Sequence, residues 1–364
     1  MSRRPTVLLN LQLALLLAPL LLAGCLDIPG LEPGDPCNAN EICAEGLICE
    51  DAICVDNSTI SWEAMSRPFT TTLHDVWGAS ATNVFAVGVN GTVLRYQGDG
   101  LNWVDANQQT SGGMKSTLQA VWGSGPTSVW AVGSSGIVHY DGTTWTKQEA
   151  FNELNELIGS YTLYDVHGDG GELYAVGSVS YSDPLVLRYE WGNQRWKKVT
   201  AASLSFAGRG VFVRGKKVWI VGTASHVLHF DGSTWKQQNL PSSTSDLALN
   251  AIWGFDGDNL VAVGPPSTLA RLDSTGWKTD AKARGSGTAY RVWGTSAADL
   301  FVVGASSGGY TDQSSGIEHC GSSCSKNPVP DKLRSTTLRG VWGTADGKVV
   351  YAVGDTATIL RRSR

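Results

Sequence analysis

The sequence predicts an all-β fold, a seven-bladed β-propeller with four-stranded blades, and three observations support this prediction. The first is composition, because the 364 residues include 43 Gly and 14 Trp but only 17% charged residues, a combination that long helices rarely tolerate. The second is an internal repeat whose copies contain short patterns of β-branched and aromatic residues bounded by turn residues. The third is the spacing of these copies, which suits one propeller blade each.

The repeat is clearest around a Val-Trp-Gly motif, which an Ala-Val-Gly motif and a third apolar pattern follow. A fourth pattern begins with Trp in the first five copies. The residues at the position of the first Trp lie 40 to 49 residues apart, and they are Trp77, Trp122, His167, Phe212, Trp253, Trp293 and Trp342. A feature that recurs in each repeat usually serves the fold. We therefore expect these aromatic residues to pack between blades, and the following glycine to permit a tight turn.

The two ends of the repeat region predict a closed ring. The seventh copy stops after its third pattern, at Leu360, and lacks a fourth. A short apolar segment around Trp62 precedes the first copy and fits the missing strand. Pairing of that strand with the last copy would protect the open edges of the sheet. The predicted propeller therefore covers residues 57–364.

The N-terminal residues 1–24 have the pattern of an export signal, with Arg3 and Arg4 before a Leu-rich apolar run. Small residues at its end indicate cleavage rather than a retained membrane helix. The ending Leu-Ala-Gly-Cys25 resembles the lipobox of bacterial lipoproteins. This resemblance implies acyl chains, palmitate among them, on Cys25, and Leu26 in place of Asp implies sorting to the outer membrane. An ordinary secretory signal with an incidental cysteine is the alternative.

Residues 25–36 form a linker rich in Pro and Gly, which predicts an extended, semi-rigid spacer. Six further cysteines, an even number in an exported chain, favour disulfides. Four of them predict a small Cys-rich knot over residues 37–56, and zinc is less favoured there because the spacing is irregular and no His is near. Among three possible connectivities, the prediction for the knot is Cys37–Cys49 with Cys43–Cys54. The remaining pair, Cys320–Cys324, is predicted to replace a turn in the sixth copy.

Two turns carry a second resemblance, Asp141-Gly-Thr-Thr-Trp145 and Asp231-Gly-Ser-Thr-Trp235. They resemble the Asp-box hairpin of sialidase-like and photosystem-assembly-factor-like propellers, although the leading Ser is absent. Over residues 73–364 the chain is also similar to surface propellers of Gram-negative lipoproteins with V-W-G and A-V-G repeats. The resemblance implies the fold, and it leaves open a carbohydrate-active enzyme, a lectin or an assembly factor for an envelope complex.

We find no pattern in the sequence that assigns a catalytic residue, a metal ligand or a cofactor. Arg95, Arg188 and Arg271 occupy related repeat positions, which favours a structural row over a sialidase arginine triad. The same reasoning favours structural roles for His139 and His229. A net charge of −5 and a pI of about 5.7 give no electrostatic reason to bind nucleic acid.

Two long loops between second and third strands are the candidate binding sites. One carries Tyr181 and Asp183, and the other carries Tyr310 and Asp312. A tyrosine near an aspartate suits contacts with a protein or a glycan, although both loops could be neutral insertions. The sequence thus predicts a monomeric, membrane-anchored, non-enzymatic binding or scaffold propeller at the cell envelope.

Overall fold

The computed structural model describes most of the repeat region and short parts of the segment before it. No helix among the described residues is long and apolar enough to cross a membrane. The described residues are 33–35, 47–50, 53–56, 61–106, 115–134, 136–180, 183–200, 206–223, 225–241, 248–255, 259–266, 268–279, 287–306, 316–321 and 324–363.

Seven antiparallel sheets of at least four strands are found in these ranges, and each is one propeller blade. This confirms the predicted fold class. Blades 1 to 3 comprise, from the channel outward, β4 (Leu73–Ser80), β5 (Asn83–Gly88), β6 (Val93–Tyr96), β7 (Trp103–Asp105); β8 (Leu118–Gly125), β9 (Ser128–Gly133), β10 (Gly136–Tyr140), β11 (Trp145–Gln148); β13 (Thr162–Asp169), β14 (Glu172–Ser180), β15 (Asp183–Glu190) and β16 (Arg195–Lys198). Blade 3 departs from the prediction because a fifth strand, β12 (Ala150–Phe151), pairs parallel to β16 at its outer edge.

The other four blades repeat this arrangement. They comprise, in the same order, β17 (Gly208–Arg214), β18 (Lys217–Gly222), β19 (His226–Phe230), β20 (Trp235–Asn239); β21 (Ala251–Gly254), β22 (Leu260–Gly264), β23 (Thr268–Asp273), β24 (Gly276–Thr279); β25 (Gly287–Ser296), β26 (Asp299–Ser306), β27 (Ile317–Cys320), β28 (Cys324–Lys326); and β29 (Leu338–Gly343), β30 (Val349–Gly354), β31 (Ile359–Ser363) with β3 (Glu63–Ala64). A separate hairpin pairs β1 (Leu47–Glu50) with β2 (Ile53–Asp56).

The second strand of each blade forms the core. In β5, Val84, Phe85, Ala86 and Val87 are all fully buried, because each face of this strand packs against a neighbouring blade. Strands that are covered on both faces have continuous apolar runs instead of alternation. Burial on both faces of the second strand accounts for the apolar Ala-Val-Gly motif in the sequence.

At five of the seven blade junctions, the aromatic residue of one blade packs on the glycine of the next blade around the ring. At a sixth, Trp253 donates from Nε1 to the Gly294 carbonyl at 2.9 Å. A Cβ atom at Gly123 would lie only 2.5 Å from Cη2 of Trp77, and one at Gly343 would lie 2.4 Å from Cη2 of Trp293. Real Cβ atoms do not approach other atoms this closely, so only glycine fits. The prediction of inter-blade packing is confirmed. The expected tight turn is wrong, because Gly123 lies within strand β8 and has no positive φ.

One inter-blade contact uses a different pair of residues. His167 stands at the aromatic position of blade 3, and Val213 stands where blade 4 would carry the glycine. The smaller imidazole ring leaves room for the valine side chain, and its Nδ1 accepts a hydrogen bond from the Val213 amide at 3.1 Å. Burial lowers the pKa of His167 to about 4, which keeps this nitrogen available as an acceptor. The two exceptions in the repeat therefore compensate each other.

Strand β3 closes the ring, as the sequence predicts. Glu63 and Ala64 pair antiparallel with β31 at the outer edge of blade 7. The adjacent Trp62 is buried, meets Phe301 of blade 6 edge to face, and donates from Nε1 to Asn327 Oδ1 at 3.1 Å. The N-terminal strand thus joins blade 7 and also packs against blade 6.

The disulfide prediction is confirmed for one pair. Cys320 and Cys324 are bonded where β27 turns into β28, in place of the usual Asp-Gly turn. In the hairpin of β1 and β2, Cys54 is disulfide-bonded and stands opposite Cys49 in the strand register. Cys37 and Cys43 lie outside the described residues, so the pairing of the knot stays a prediction. The signal segment and Cys25 also lie outside them.

We expect Gly123→Ala to destabilise the propeller by about 1–3 kcal/mol, the usual cost of an overpacked core, because the new methyl group would collide with Trp77. Gly125→Ala is the matched control, since no atom lies within 4 Å of its Cβ position and its φ is not positive. Chemical denaturation of both variants measures the difference. Equal stability of the two variants would contradict the packing account of the motif.

Candidate functional site

The first strands of all blades line a central channel, and one mouth of this channel is the candidate site. Each blade contributes the residue that lies three positions before its inter-blade aromatic. Together with Arg291 they surround a cavity of about 280 Å³. The seven residues are His74, Gln119, Tyr164, Arg209, Asn250, Tyr290 and Arg339.

These seven positions do not follow the repeat. The preceding position is Leu in five blades, and the position before each aromatic is Val or Ile in all seven. The mouth position, in contrast, holds five different residue types, with Tyr and Arg twice each, His, Gln and Asn once each, and no aliphatic residue. The fold demands the same packing from every blade but does not demand a particular residue here. The residue at such a position can therefore be selected for contact with a ligand.

Two of the mouth cations are held by neighbouring groups. Arg339 donates from Nε and Nη2 to the two carboxylate oxygens of Asp355, at 2.6 and 3.3 Å, and its guanidinium lies 5.4 Å from the centre of the Tyr290 ring. Arg209 is exposed, and it donates from Nη1 to Asn250 Oδ1 at 2.9 Å. Asn250 is itself fixed by a bond of 2.7 Å from Nδ2 to the Ala289 carbonyl.

A buried charge cluster forms the floor of the mouth. Arg291 crosses the channel from blade 6 and approaches Asp75 of blade 1 at 3.7 Å and Asp165 of blade 3 at 3.4 Å. Each carboxylate also accepts an amide bond from the next blade, Asp75 from Val121 and Asp165 from Val211. Through Asp75 and Asp165, Arg291 of blade 6 is therefore linked to blades 1, 2, 3 and 4.

Burial dominates the electrostatics of this floor. It raises the pKa of Asp75 to about 6, although the nearby Arg291 opposes the shift. The pKa of Asp165 is raised for the same reason, and the two carboxylates raise the pKa of Arg291 despite its burial. His74, at the mouth above them, has a lowered pKa because of burial, to which the charges of Arg339 and Arg291 add.

The mouth opens on the face that carries the loops between second and third strands. Leu73, next to His74, pairs with Gly88 at the end of β5, so the first strand begins where the second ends. Asp183 lies on this same face, is exposed, and begins β15. The predicted loop around it is instead an extension of the β14–β15 hairpin, since Ser178 pairs with Pro184. Three other predicted binding residues, Tyr181, Tyr310 and Asp312, lie outside the described residues.

The repeated histidines and arginines are occupied by structural contacts. The His139 ring stacks on Trp130 at 3.9 Å between centres, and the His229 ring stacks on Trp219 at 4.7 Å. The arginines of the third strands do not converge. Arg95 lies over Phe85, Arg188 pairs with Glu172, and Arg271 donates to the carbonyls of Ala297 and Gly321.

The Asp-box-like turns are also structural. The Asp141 Oδ1 atom accepts the amides of Thr143 and Thr144 at 2.8 Å each, and Asp231 binds the equivalent amides of its own turn. These bonds hold the pKa of both carboxyl groups well below the usual range. Both aspartates are therefore ionised acceptors that fix a tight turn.

One group of possible metal ligands occurs in the described residues, and it consists of Glu318, Cys320 and Cys324. Both sulfur atoms are bonded to each other, whereas a metal binds the free thiolate. The site therefore offers one carboxylate, which does not make a metal site.

The mouth residues were not predicted from the sequence, because they lie in regular strands and not in long loops. A signal for them existed. When the seven copies are aligned on the inter-blade aromatic, the column three positions earlier is polar in all seven copies and varied, between a column rich in Leu and a column of Val and Ile. Only the closure of the ring shows that the seven members of this column face a common channel.

Solved structures with the same architecture include YCF48 bound to a D1 peptide, with 14% identity, a TM-score of 0.62, and coverage of 83% of this chain and 95% of that one. The WD40 propeller domain of Doa1 has 12% identity, a TM-score of 0.62, and coverage of 83% and 95%. The extracellular domain of the two-component system BT3049 from B. thetaiotaomicron has 10% identity, a TM-score of 0.63, and coverage of 84% and 42%.

Comparison with protein-family models and with curated proteins gives no match. At such low identities the likeness to solved structures bears on the fold and not on a shared activity. The shared fold is that of a β-propeller.

We expect Asp75→Asn to flatten the pH dependence of stability between about pH 4 and about pH 7. Because burial raises the pKa of Asp75, the folded state binds this proton more tightly than the unfolded state, and the free energy of unfolding falls as pH rises through this window. The variant removes that contribution and leaves Arg291 paired with Asp165. Urea denaturation across the window is the measurement, and exposed Asp183→Asn is the control. A slope unchanged by Asp75→Asn would show that Asp75 titrates normally.

Proposed function

We propose that this chain is a lipid-anchored, non-enzymatic binding propeller of the bacterial envelope, and that it recognises a protein partner through the channel mouth. One observation carries the proposal. Seven polar residues that do not follow the repeat, one from each blade, converge on one cavity at the start of the first strands. The residues that repeat in each blade serve the fold, whereas the mouth residues do not repeat and are therefore available to bind a partner.

The chemistry of the mouth favours binding over catalysis. Its groups are arginines, tyrosines, amides and a histidine with a lowered pKa. Arginine and tyrosine are enriched at protein interfaces because they combine large contact areas with hydrogen bonding. The two carboxylates below the mouth are occupied by Arg291 and by backbone amides, which supports a structural use for them.

A glycan is the second candidate ligand, and the rings of Tyr164 and Tyr290 in the mouth are the observation that favours it. Aromatic faces also stack on peptide groups, and a protein partner uses the charges of the mouth as well. The YCF48 structure with a D1 peptide is an example of a propeller of this fold with a peptide ligand. An assembly role in an envelope complex is compatible with the same surface.

Anchoring through Cys25 rests on the lipobox resemblance of the sequence. Two or more acyl chains on one residue hold a protein at a bilayer far better than one chain. The linker and the Cys-rich segment would then separate the propeller from the membrane.

We expect a photo-reactive residue at the mouth to crosslink to the partner in native membranes. Gln119→p-benzoylphenylalanine places the probe in the cavity, and Gln237→p-benzoylphenylalanine, on the exposed outer strand β20, is the matched control. Mass spectrometry of the adducts should show one partner for the mouth probe that the control lacks. Adducts of the control alone, or the same adducts from both sites, would contradict binding at the mouth.

We expect the mature protein to begin at Cys25 and to carry the mass of its acyl chains, and Cys25→Ser to abolish this mass and release the protein from membranes. Intact-mass measurement and membrane fractionation test both. Cys54→Ser is a control for the loss of a cysteine that the lipobox does not include. Unmodified Cys25 in a correctly exported protein would overturn the anchor.

A further inference from the structure

We propose that the mouth binds a carboxylate group of a peptide, either an acidic side chain or a C-terminal carboxylate, and that Arg209 is its main contact. This inference rests on the proposed function, because it names the chemistry of the partner at the same site.

The positive charge of the mouth is concentrated at Arg209. Three arginines line the cavity. Arg291 is paired from below with Asp75 and Asp165, and Arg339 is paired with Asp355 through two bonds. Within the described ranges Arg209 forms no ion pair with a carboxylate, and its one side-chain bond goes to the neutral amide of Asn250.

Arg209 is also held in place before any ligand arrives. Asn250 is 8% exposed, and its amide is fixed by the Ala289 carbonyl of the next blade. The bond from Nη1 of Arg209 to Asn250 Oδ1 therefore ties one side of an exposed guanidinium to a rigid support. A guanidinium has five N–H donors in a planar fork that matches a carboxylate. Four donors remain after the bond to Asn250, enough for a bidentate contact.

The size of the site argues for a single group of a peptide. The cavity of about 280 Å³ lies below the range of roughly 300–1,000 Å³ that holds drug-sized ligands. The charge cluster of Asp75, Asp165 and Arg291 lies beneath it, so a chain cannot pass straight through. One side chain or one chain end fits, and the rings of Tyr164 and Tyr290 can cover its apolar part.

The amount of charge argues for a carboxylate over a phosphate. One cation without an acidic partner balances the single charge of a carboxylate, whereas a phosphate group carries about −1.5 to −2 at neutral pH. His74 does not supply the second charge, because burial lowers its pKa by more than its hydrogen bond with the Leu118 carbonyl raises it, and the charges of Arg339 and Arg291 lower the pKa further.

The test is affinity selection from a random heptapeptide library by the immobilised full-length protein, with sequencing of the retained peptides by mass spectrometry. One library has free C-terminal carboxylates, and a second has C-terminal amides. Arg209→Gln is the test variant. Arg188→Gln is the matched control, because it removes the same charge from an exposed arginine that pairs with Glu172 outside the mouth. Circular dichroism and thermal unfolding verify that both variants fold.

We expect peptides with Asp or Glu, or peptides with a free C-terminus, to be enriched at least about tenfold, the effect of one hydrogen bond to a charged group. If acidic peptides are also enriched in the amidated library, the bound carboxylate belongs to a side chain. If enrichment is lost in the amidated library, the bound carboxylate is the C-terminus. Arg209→Gln should abolish the enrichment, and Arg188→Gln should retain it. Retention of neutral peptides alone, or enrichment that Arg209→Gln leaves intact, would overturn the inference.

Two further arms separate this inference from the proposed function. An oligogalacturonate probe that binds through Arg209 while no peptide is retained would show a carboxylate of a glycan, and would overturn the peptide ligand. A mouth-specific crosslink from Gln119 in native membranes, without any acidic preference in the library, would uphold the mouth as a binding site and reject the carboxylate. If neither a mouth-specific crosslink nor an acidic preference is found, both the binding role of the mouth and the carboxylate ligand are rejected.

Discussion

The structure depends on one contact that is repeated around the ring, in which an aromatic side chain packs on a glycine of the next blade. The strand pairings lie within single blades, and only isolated backbone bonds, such as that of 2.8 Å from the Leu249 amide to the Gly222 carbonyl, join neighbouring blades. Side-chain packing therefore does most to hold the blades in register. A large ring against a bare backbone gives close contact and admits only one separation of the blades. The substitution of His167 and Val213 together shows that the constraint acts on the pair and not on either residue alone.

This repeated contact also explains where specificity can reside. Positions that pack between blades have little freedom, because each must fit a neighbour that is built the same way. The inward positions at the start of each first strand meet solvent or each other, and these positions differ between blades. The charge cluster of Arg291, Asp75 and Asp165 uses the same freedom for a structural purpose, since it connects distant blades across the channel.

Much of the fold could be predicted from the sequence because propeller blades are local units. The spacing of the repeat predicts the blades, the incomplete seventh copy predicts closure by Trp62, and the missing Asp-Gly turn predicts the Cys320–Cys324 bond. The reason for the glycine after most of these aromatics could not be predicted, because in five blades the aromatic ring that excludes a Cβ belongs to a neighbouring blade. The mouth was missed for a related reason, since His74 and Arg339 become neighbours only in the closed ring.

The direction of the closing strand has a geometric consequence for display at a surface. The first strand of each blade begins at the mouth and runs away from it. In blade 7 each strand is antiparallel to its neighbour, so the fourth strand, Glu63–Ala64, runs towards the mouth. The chain therefore enters the ring from the side opposite the mouth. A tether attached before this strand would pull on the face opposite the mouth, so the mouth would point away from the tether and stay accessible from that side.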